Sequence, residues 1–463
     1  MSNVLLVGYG VSGVSLFNFL KSKGNNIFVY DDYKGDEIPN KITNINWNNI
    51  DYVVKSPSIH IMPHNIHPII QEAMENGKEI YSTFDIFRMY NPNAKIIGIT
   101  GTNGKSTTTS LIYEILKNAG FSVQIGGNIG IPYSDLKQSE YYVFEMSSYE
   151  ISSSKYLDFI IGAVLNIEPD HLDWHGSFEN YIESKQTLLD KSKLKIISYE
   201  DKYSLNKYTK NISLKQNNDY NNYIENSVLK QNNNSNNKYI EKNQSILDQV
   251  ITISINNEKR AFYYIKEKLL MSNNNIILDL SNVKYLVGTH NYQNIMFAYA
   301  VCKYLNVDDS VIINTINNFK PLPHRINIVR KINDILFIND SKGTNPMSSA
   351  RALDTFVGYK IYWLVGGRSK KVNPLQYIEK YLGSIQKIYL FGESVSEFSK
   401  IFKDIKEYCI FKTLEEALRQ AYKDAIDDSG ASVILLSPMC ASFDQFQSFE
   451  HRGNVFVELV KLL

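Results

Sequence analysis

Gly98-Ile99-Thr100-Gly101-Thr102-Asn103-Gly104-Lys105-Ser106-Thr107-Thr108-Thr109 decides the fold of the central part of this chain. The β-branched run Ala94-Lys95-Ile96-Ile97 before it reads as a buried strand, and Ser110-Leu111-Ile112-Tyr113-Glu114-Ile115-Leu116 after it has helical apolar spacing. Strand, glycine loop and helix in that order make an anion cradle. The glycines let several backbone N–H groups face one anion, and the helix N-terminus adds partial positive charge. Lys105 then neutralises phosphate and Ser106 can ligate magnesium, so the predicted ligand is a nucleoside triphosphate. A strict P-loop has glycine where this chain has Ile99, so the motif is a tighter variant, and a plain glycine turn capped by Ser and Thr is the alternative.

Working outward, 463 residues exceed one ordinary domain, and three are expected. Lys plus Arg number 49 against 48 Asp plus Glu, which leaves no global field to attract nucleic acid or an anionic membrane. Cys302, Cys409 and Cys440 are few, odd in number and far apart, which argues against a disulfide framework or a four-cysteine zinc site and fits a reducing cytoplasm. The N-terminus enters a strand directly, and no run approaches ~20 apolar residues, so a soluble, unprocessed protein is expected.

Val4-Leu5-Leu6-Val7 leads into Gly8-Tyr9-Gly10-Val11-Ser12-Gly13, then a helical run from Val14 to Lys23, then the strand Ile27-Phe28-Val29-Tyr30 ending in Asp31-Asp32. This is the spacing of a Rossmann-type βαβ unit, and NAD and a nucleotide sugar fit it equally, because the motif reports a diphosphate and not the base. Tyr90-Asn91-Pro92-Asn93 marks the break before the triphosphate strand. Beyond it, the strand Tyr141-Tyr142-Val143-Phe144 ends in Glu145, placed to hold the metal of bound ATP. A third strand, Phe159 to Leu165, runs into Asn166-Ile167-Glu168-Pro169-Asp170-His171. The helix from Ser177 carries Phe178, Tyr181, Ile182, Leu188 and Leu189 on one stripe, and Lys185 falls on that stripe. An inward lysine is commonly a snorkelling one, but here it faces a predicted metal, where a free ammonium is repelled.

From Lys191 to Leu280 the chain turns asparagine-rich, and loops are expected between strands such as Val250 to Ile255 and Ile276 to Leu280. Asn291 and Asn294 then share a helix face, where they read a nucleotide or merely solvate the helix. After the stiff Pro321-Leu322-Pro323, strands at Ile335 to Ile338, Ile361 to Val365, Lys387 to Phe391 and Ser432 to Leu436 each end in small or polar residues, as the ligand edge of a parallel sheet requires. Lys342, Lys370 and Ser442 make a carboxylate-binding set.

In this order the motifs GTNGKSTTT (101–109), EMSSYE (145–150), NIEPDHLD (166–173), GTHNYQN (288–294), PHR (323–325), NDSKGTNP (339–346), GGRSKK (366–371) and SPMCASFDQFQSFEHRGNVF (437–456) resemble the Mur ligase family over nearly the whole chain, and most of all its D-glutamate-adding branch. The resemblance implies an α/β protein of three domains. These are a Rossmann-like N-terminal UDP-sugar domain (1–92), a central P-loop ATPase-type domain with the Asn-rich insertion (93–321), and a Rossmann-like C-terminal amino-acid domain (322–463). It favours UDP over NAD at the first glycine loop, and implies ATP-driven amide formation between UDP-N-acetylmuramoyl-L-alanine and D-glutamate in peptidoglycan precursor synthesis, by a cytoplasmic monomer.

By matched motif, Gly101, Thr102, Asn103, Gly104, Lys105, Ser106, Thr107, Asn291, Asn294, Arg325 and Asp340 bind ATP. Ser106, Glu145, His171 and Lys185 surround magnesium, of which two ions are expected, with Lys185 carrying a carbamate; Lys105, Glu145, His171 and Lys185 are the catalytic set. Val11, Ser12, Asp32, Asn128 and Ser147 contact the UDP-sugar, and Lys342, Thr344, Lys370, Ser442, Phe443 and Phe449 the D-glutamate. Two positions depart from the pattern: Ser58 stands where the first-domain loop usually has glycine, and Arg368 where Gly-Gly-x-x-Lys versions often have an acid. The rivals are another amide ligase of this superfamily, including the folate type, a non-catalytic nucleotide-binding protein, and an NAD-dependent oxidoreductase, which leaves the second glycine loop and Lys185 unexplained.

Overall fold

The computed structural model describes residues 1–32, 38–129, 131–209, 249–283, 286, 288–320, 323–369, 372–428 and 430–463; Lys370, the Pro321-Leu322 pair and the Asn-rich run lie outside them. The chain forms two compact units, Met1–Lys284 with Asn291–Phe319, and Tyr285–His290 with Lys320–Leu463.

The first unit holds two sheets. β1 (Asn3–Val7), β2 (Asn26–Tyr30), β3 (Tyr52–Lys55) and β4 (Glu79–Ser82) pair in parallel in the order β2-β1-β3-β4. The helix after β1 spans Val11–Ser22, three residues earlier than its apolar spacing suggests, because Gly10 takes the extended N-cap conformation right after the turn. Gly13 is packed so closely that a Cβ there would lie 2.3 Å from the Gly8 carbonyl oxygen.

The second sheet comprises β5 (Lys95–Thr100), β6 (Val123–Gly127), β7 (Tyr141–Glu145), β8 (Phe159–Val164), β9 (Ser192–Ser198), β10 (Gln249–Ser254), β11 (Tyr263–Lys266), β12 (Leu269–Ser272) and β13 (Asn275–Asp279). Its order is β13-β12-β11-β10-β9-β8-β5-β7-β6, parallel except at β12 and β13. β5 is therefore flanked by β7 and β8, with Ile99 beside Glu145 and Thr100 beside Val164. Register alone thus brings the glycine loop, Glu145 and the loop at Asn166 to one sheet edge, where parallel sheets bind ligands.

The two sheets are joined by packing as well as by chain. Phe84, fully buried on the helix Thr83–Tyr90, meets Tyr133, Phe144 and Phe159 with ring centroids 5.7, 6.2 and 5.9 Å away. On the same helix Asp85 closes a capping box with Ser82 and accepts the Lys155 and Tyr156 amides at 2.8 and 2.9 Å. His60, from the loop after β3, packs its ring against that of Trp174, tilted by 34° with centroids 4.0 Å apart.

The second unit has β14 (Asn327–Ile332), β15 (Ile335–Asn339), β16 (Lys360–Gly366), β17 (Ile385–Phe391), β18 (Tyr408–Phe411) and β19 (Ser432–Leu436), ordered β14-β15-β19-β16-β17-β18. β14 runs antiparallel to β15 and the other pairs are parallel. Ile338, Trp363, Ile388 and Leu435 fill one face and Phe337, Leu364, Tyr389 and Ile434 the other, the two-sided burial of a doubly wound sheet. Among the described residues no helix is long and apolar enough to cross a membrane.

Phe84→Ala should lower the unfolding free energy of the first unit by roughly 3–5 kcal/mol, the usual cost of emptying a buried aromatic site. Chemical denaturation followed by far-UV circular dichroism measures it, and an unchanged midpoint would mean that the ring does not join the two sheets.

Candidate active site

Gly104 ends the glycine loop in a left-handed conformation (φ 86°), which aims the first amides of the helix Lys105–Asn118 back into the loop. A Cβ at Gly104 would come 2.3 Å from Asn294 Oδ1. Asn294 also accepts from the Thr108 hydroxyl at 3.2 Å and donates to Asn291 Oδ1 at 3.1 Å, so the two asparagines share one face and brace this loop. Asn166, on the loop after β8, holds Asn103 at both backbone atoms: its Oδ1 accepts the Asn103 amide at 2.9 Å and its Nδ2 donates to the Asn103 carbonyl at 3.1 Å. Thr102 Oγ1 meets the Tyr181 hydroxyl at 3.0 Å. Thr107 and Ser106 are both buried at the helix start.

Two lysines converge on one oxygen. Lys105 Nζ donates to the Gly101 carbonyl at 2.9 Å and to that of Thr102 at 3.0 Å; Lys185 Nζ donates to the same Gly101 carbonyl at 2.9 Å and to Thr100 Oγ1 at 3.3 Å. Lys185 does lie inward on the helix Phe178–Asp190, 1 % exposed, with its ammonium 4.6 Å from the centre of the Tyr181 ring. Burial, and then the charge of Lys105, hold its pKa well below the ordinary lysine value, against the pull of Asp170 and Glu145.

Glu145, at the carboxyl end of β7, is buried; its Oε1 accepts from Asn128 Nδ2 at 3.1 Å, and its Oε2 has no hydrogen-bond partner among the described residues. A bare carboxylate oxygen costs free energy unless a cation faces it. Together with the buried Ser106 hydroxyl it supplies the hard oxygen donors that magnesium takes, so the residues present fit that ion. His171 sits at φ 53° before a short helix, its Nδ1 2.5 Å from the Tyr149 hydroxyl, and Tyr149 stacks on Trp174 at 4.3 Å. Among the described residues no three His, Cys, Asp or Glu side chains converge on one point, and the expected metal set contains only two of those types.

Of the expected UDP-sugar residues, Ser12 and Asn128 line one cavity of about 160 Å³ with Tyr133, Ser134 and Glu150. Val11 is exposed at the helix start. Asp32 pairs with His67 at 2.8 Å, while its neighbour Asp31 accepts the Tyr9 amide at 2.7 Å and so stabilises the glycine turn itself. Ser147 caps the helix Ser148–Ser153 in a box with Glu150.

In the second unit, Lys342 Nζ lies 4.6 Å from the centre of the Phe449 ring, which brings two of the expected amino-acid contacts together. Ser442 is buried, Thr344 is half-buried and donates its amide to the Lys342 carbonyl, and Phe443 is 63 % exposed. Arg368 forms a two-pronged pair with Glu393 at 3.0 and 3.1 Å, so this cation is matched by an acid from the loop after β17. Asp340 accepts from Ser437 Oγ at 2.6 Å. Burial pushes its pKa up to about 7, against that hydrogen bond and the charges of Arg325 and Arg452. Asn166, Tyr149 and Arg452 are not among the expected site residues, and Tyr181 is expected only as part of an apolar stripe, because each acts through a contact made only in three dimensions.

Residues 99–302 match the Mur ligase middle domain and residues 324–440 the Mur ligase glutamate ligase domain. The UDP-N-acetylmuramoylalanine–D-glutamate ligase of Wolbachia pipientis wMel is 35 % identical, covering 100 % of this chain and 96 % of the relative, and that of Rickettsia bellii is 35 % identical, covering 100 % and 98 %. Among solved structures, the UDP-N-acetylmuramate–alanine ligase of Thermotoga maritima superposes with a TM-score of 0.61 over 100 % of both chains at 18 % identity, a likeness of fold.

Asp340 makes stability depend on pH in a definite direction. The folded chain keeps a proton that the unfolded chain has released, so stability falls as pH rises from about 4 to about 7. Asp340→Asn should flatten that slope; thermal unfolding of both proteins across the range measures it, and parallel curves would contradict a protonated, buried Asp340.

Proposed function

The chain belongs to the Mur ligase family, and from that premise we propose that it joins D-glutamate to UDP-N-acetylmuramoyl-L-alanine with conversion of ATP to ADP and phosphate, in the making of peptidoglycan precursors. The observation that carries this reading is the pair of lysine nitrogens on the Gly101 carbonyl together with the buried Glu145 oxygen that has no hydrogen-bond partner among the described residues. Such a place suits a triphosphate and its metal. The relatives' names supply the amino acid.

The terminal carboxylate of the UDP-sugar attacks the γ-phosphorus and ADP leaves. The amine of D-glutamate then adds to the carbonyl carbon of the acyl phosphate, and phosphate departs with the carboxylate oxygen. Phosphate is a far better leaving group than oxide, so one hard step becomes two easier ones. Lys105 stabilises charge on the transferring phosphoryl group from the helix N-terminus. Ser106, Glu145, His171 and a carbamate on Lys185 would hold magnesium, which supplies charge neutralisation at the phosphates. The lowered pKa of Lys185 favours the neutral amine that reacts with carbon dioxide, and the carbamate replaces a repelled cation with anionic oxygens.

Gly101, Thr102, Asn103, Gly104 and Thr107 line the phosphate loop, and Asn291, Asn294, Arg325 and Asp340 contact the nucleotide. Val11, Ser12, Asp32, Asn128 and Ser147 take the UDP-sugar. Lys342, Thr344, Lys370, Ser442, Phe443 and Phe449 take D-glutamate. These groups belong to three domains, 1–92, 93–321 and 322–463, of a cytoplasmic monomer that binds neither nucleic acid nor membrane; the near-balance of 49 basic and 48 acidic residues supports the last point.

ADP release should require both UDP-N-acetylmuramoyl-L-alanine and D-glutamate, and equal turnover with L-alanine or meso-diaminopimelate would refute the assignment. Lys105→Ala should lower kcat by at least ~100-fold, the scale of losing one strong electrostatic stabiliser; near-normal turnover would place catalysis at another loop.

Lys185→Ala should abolish most turnover while sparing UDP-sugar affinity, and added bicarbonate or a small carboxylic acid should restore part of the rate. A fully active Lys185→Ala protein would exclude the carbamate.

A further inference from the structure

Arg452 is the most conspicuous charge that this reaction scheme leaves unused. It is the fourth residue of the helix Phe449–Lys461 and is fully buried. Its Nε donates to Ser341 Oγ at 3.0 Å, its Nη2 to the carbonyls of Ser341 at 2.8 Å and Cys440 at 3.0 Å, and its Nη1 to that of Gly366 at 3.2 Å. All four acceptors are neutral oxygens. Burial pulls its pKa down to about 10, which leaves it charged at neutral pH. Holding a cation there against its loss of hydration requires that every arm of the fork be used.

The acceptors belong to three different loops. Ser341 follows β15, Gly366 ends β16, and Cys440 follows β19; these strands are adjacent, with Leu436 of β19 opposite both Asn339 and Leu364. Ser341 also ties the helix to the first loop, donating its hydroxyl to the Phe449 carbonyl at 2.8 Å. Residues proposed for D-glutamate are distributed over the same pieces of chain: Lys342 and Thr344 close after Ser341, Ser442 and Phe443 just past Cys440, and Phe449 three before Arg452.

We propose that Arg452 is the positioning residue of the amino-acid site, a single planar fork that sets the spacing of the three loops and therefore the fit of the incoming amino acid. The inference rests on the proposed function, because it takes D-glutamate as that amino acid. A lysine keeps the charge but ends in one compact ammonium and cannot span three loops, so the site should loosen while the unit stays folded. Misplacing contacts by an ångström or so costs up to ~100-fold, and the loss should fall on the amino acid rather than on the UDP-sugar, whose proposed contacts lie in the other unit.

Steady-state kinetics of Arg452→Lys should show KM for D-glutamate raised by at least ~10-fold, with KM for UDP-N-acetylmuramoyl-L-alanine within about twofold of the parent. In Arg452→Ala, millimolar guanidinium ion should bring the D-glutamate KM back toward the parent value, as it refills the fork's place. If the Arg452 variants do not fold, Ser341→Ala, which removes one arm of the network, should still raise that KM by ~3–10-fold, the kinetic equivalent of one hydrogen bond. An unchanged D-glutamate KM in a folded variant, or equal rises for both substrates, overturns the proposal. A parent protein that shows no D-glutamate-dependent ADP release refutes the functional reading instead, so the two failures are distinct.

Discussion

Lys105 and Lys185 both donate to the carbonyl oxygen of Gly101. One carbonyl dipole cannot neutralise two ammonium groups, and Lys185, buried among Tyr181 and the strand ends, is too far from water to be screened. This crowding of two lysines at the mouth of a helix, with Asp170 and Glu145 acting on Lys185, is the constraint that the first unit is built around. It favours a polyanion at the loop, and it makes the neutral form of Lys185 accessible. The neighbouring features serve the same arrangement: Asn166 holds Asn103 at both backbone atoms, Asn294 braces Gly104, and β7 brings Glu145 into register with Ile99.

The second unit solves a different problem with the same kind of sheet. The relative placement of its loops depends on a buried guanidinium bound to neutral oxygens and on Asp340, held by Ser437. Such networks are costly if one member is missing, which favours a single well-defined arrangement of the strand ends. Both units therefore place their polar groups at the carboxyl ends of parallel strands, one through two crowded lysines and the other through loop spacing.

Much of this was legible in the sequence where local pattern and tertiary role coincide. The apolar stripe Tyr181, Lys185, Leu188, Leu189 showed an inward lysine because helical period alone fixes which residues share a face. The strand Ser432–Leu436 was bounded correctly, since five buried apolar or small residues in a row have no competing period. What escaped has physical reasons. β11 and β12 are four-residue strands within a polar stretch, and β14 at the sheet edge mixes Arg330 and Lys331 with apolar residues, so neither period emerges. An acid at the end of β2 was expected, but Asp31 and Asp32 are indistinguishable by spacing; only the folded chain shows that Asp31 holds the glycine turn and Asp32 faces His67. Arg452 had no signal at all, because a buried guanidinium and a solvated one look alike in a helix.

In the proposed function, the cluster at Gly101 serves to activate a carboxylate as an acyl phosphate. Turnover of UDP-N-acetylmuramoyl-L-alanine labelled with oxygen-18 in its terminal carboxylate, followed by mass spectrometry of the released phosphate, tests it most directly. One labelled oxygen should appear in each phosphate formed, since the oxygen that attacks phosphorus leaves with it. Phosphate free of label, alongside normal formation of the D-glutamate amide, would contradict it.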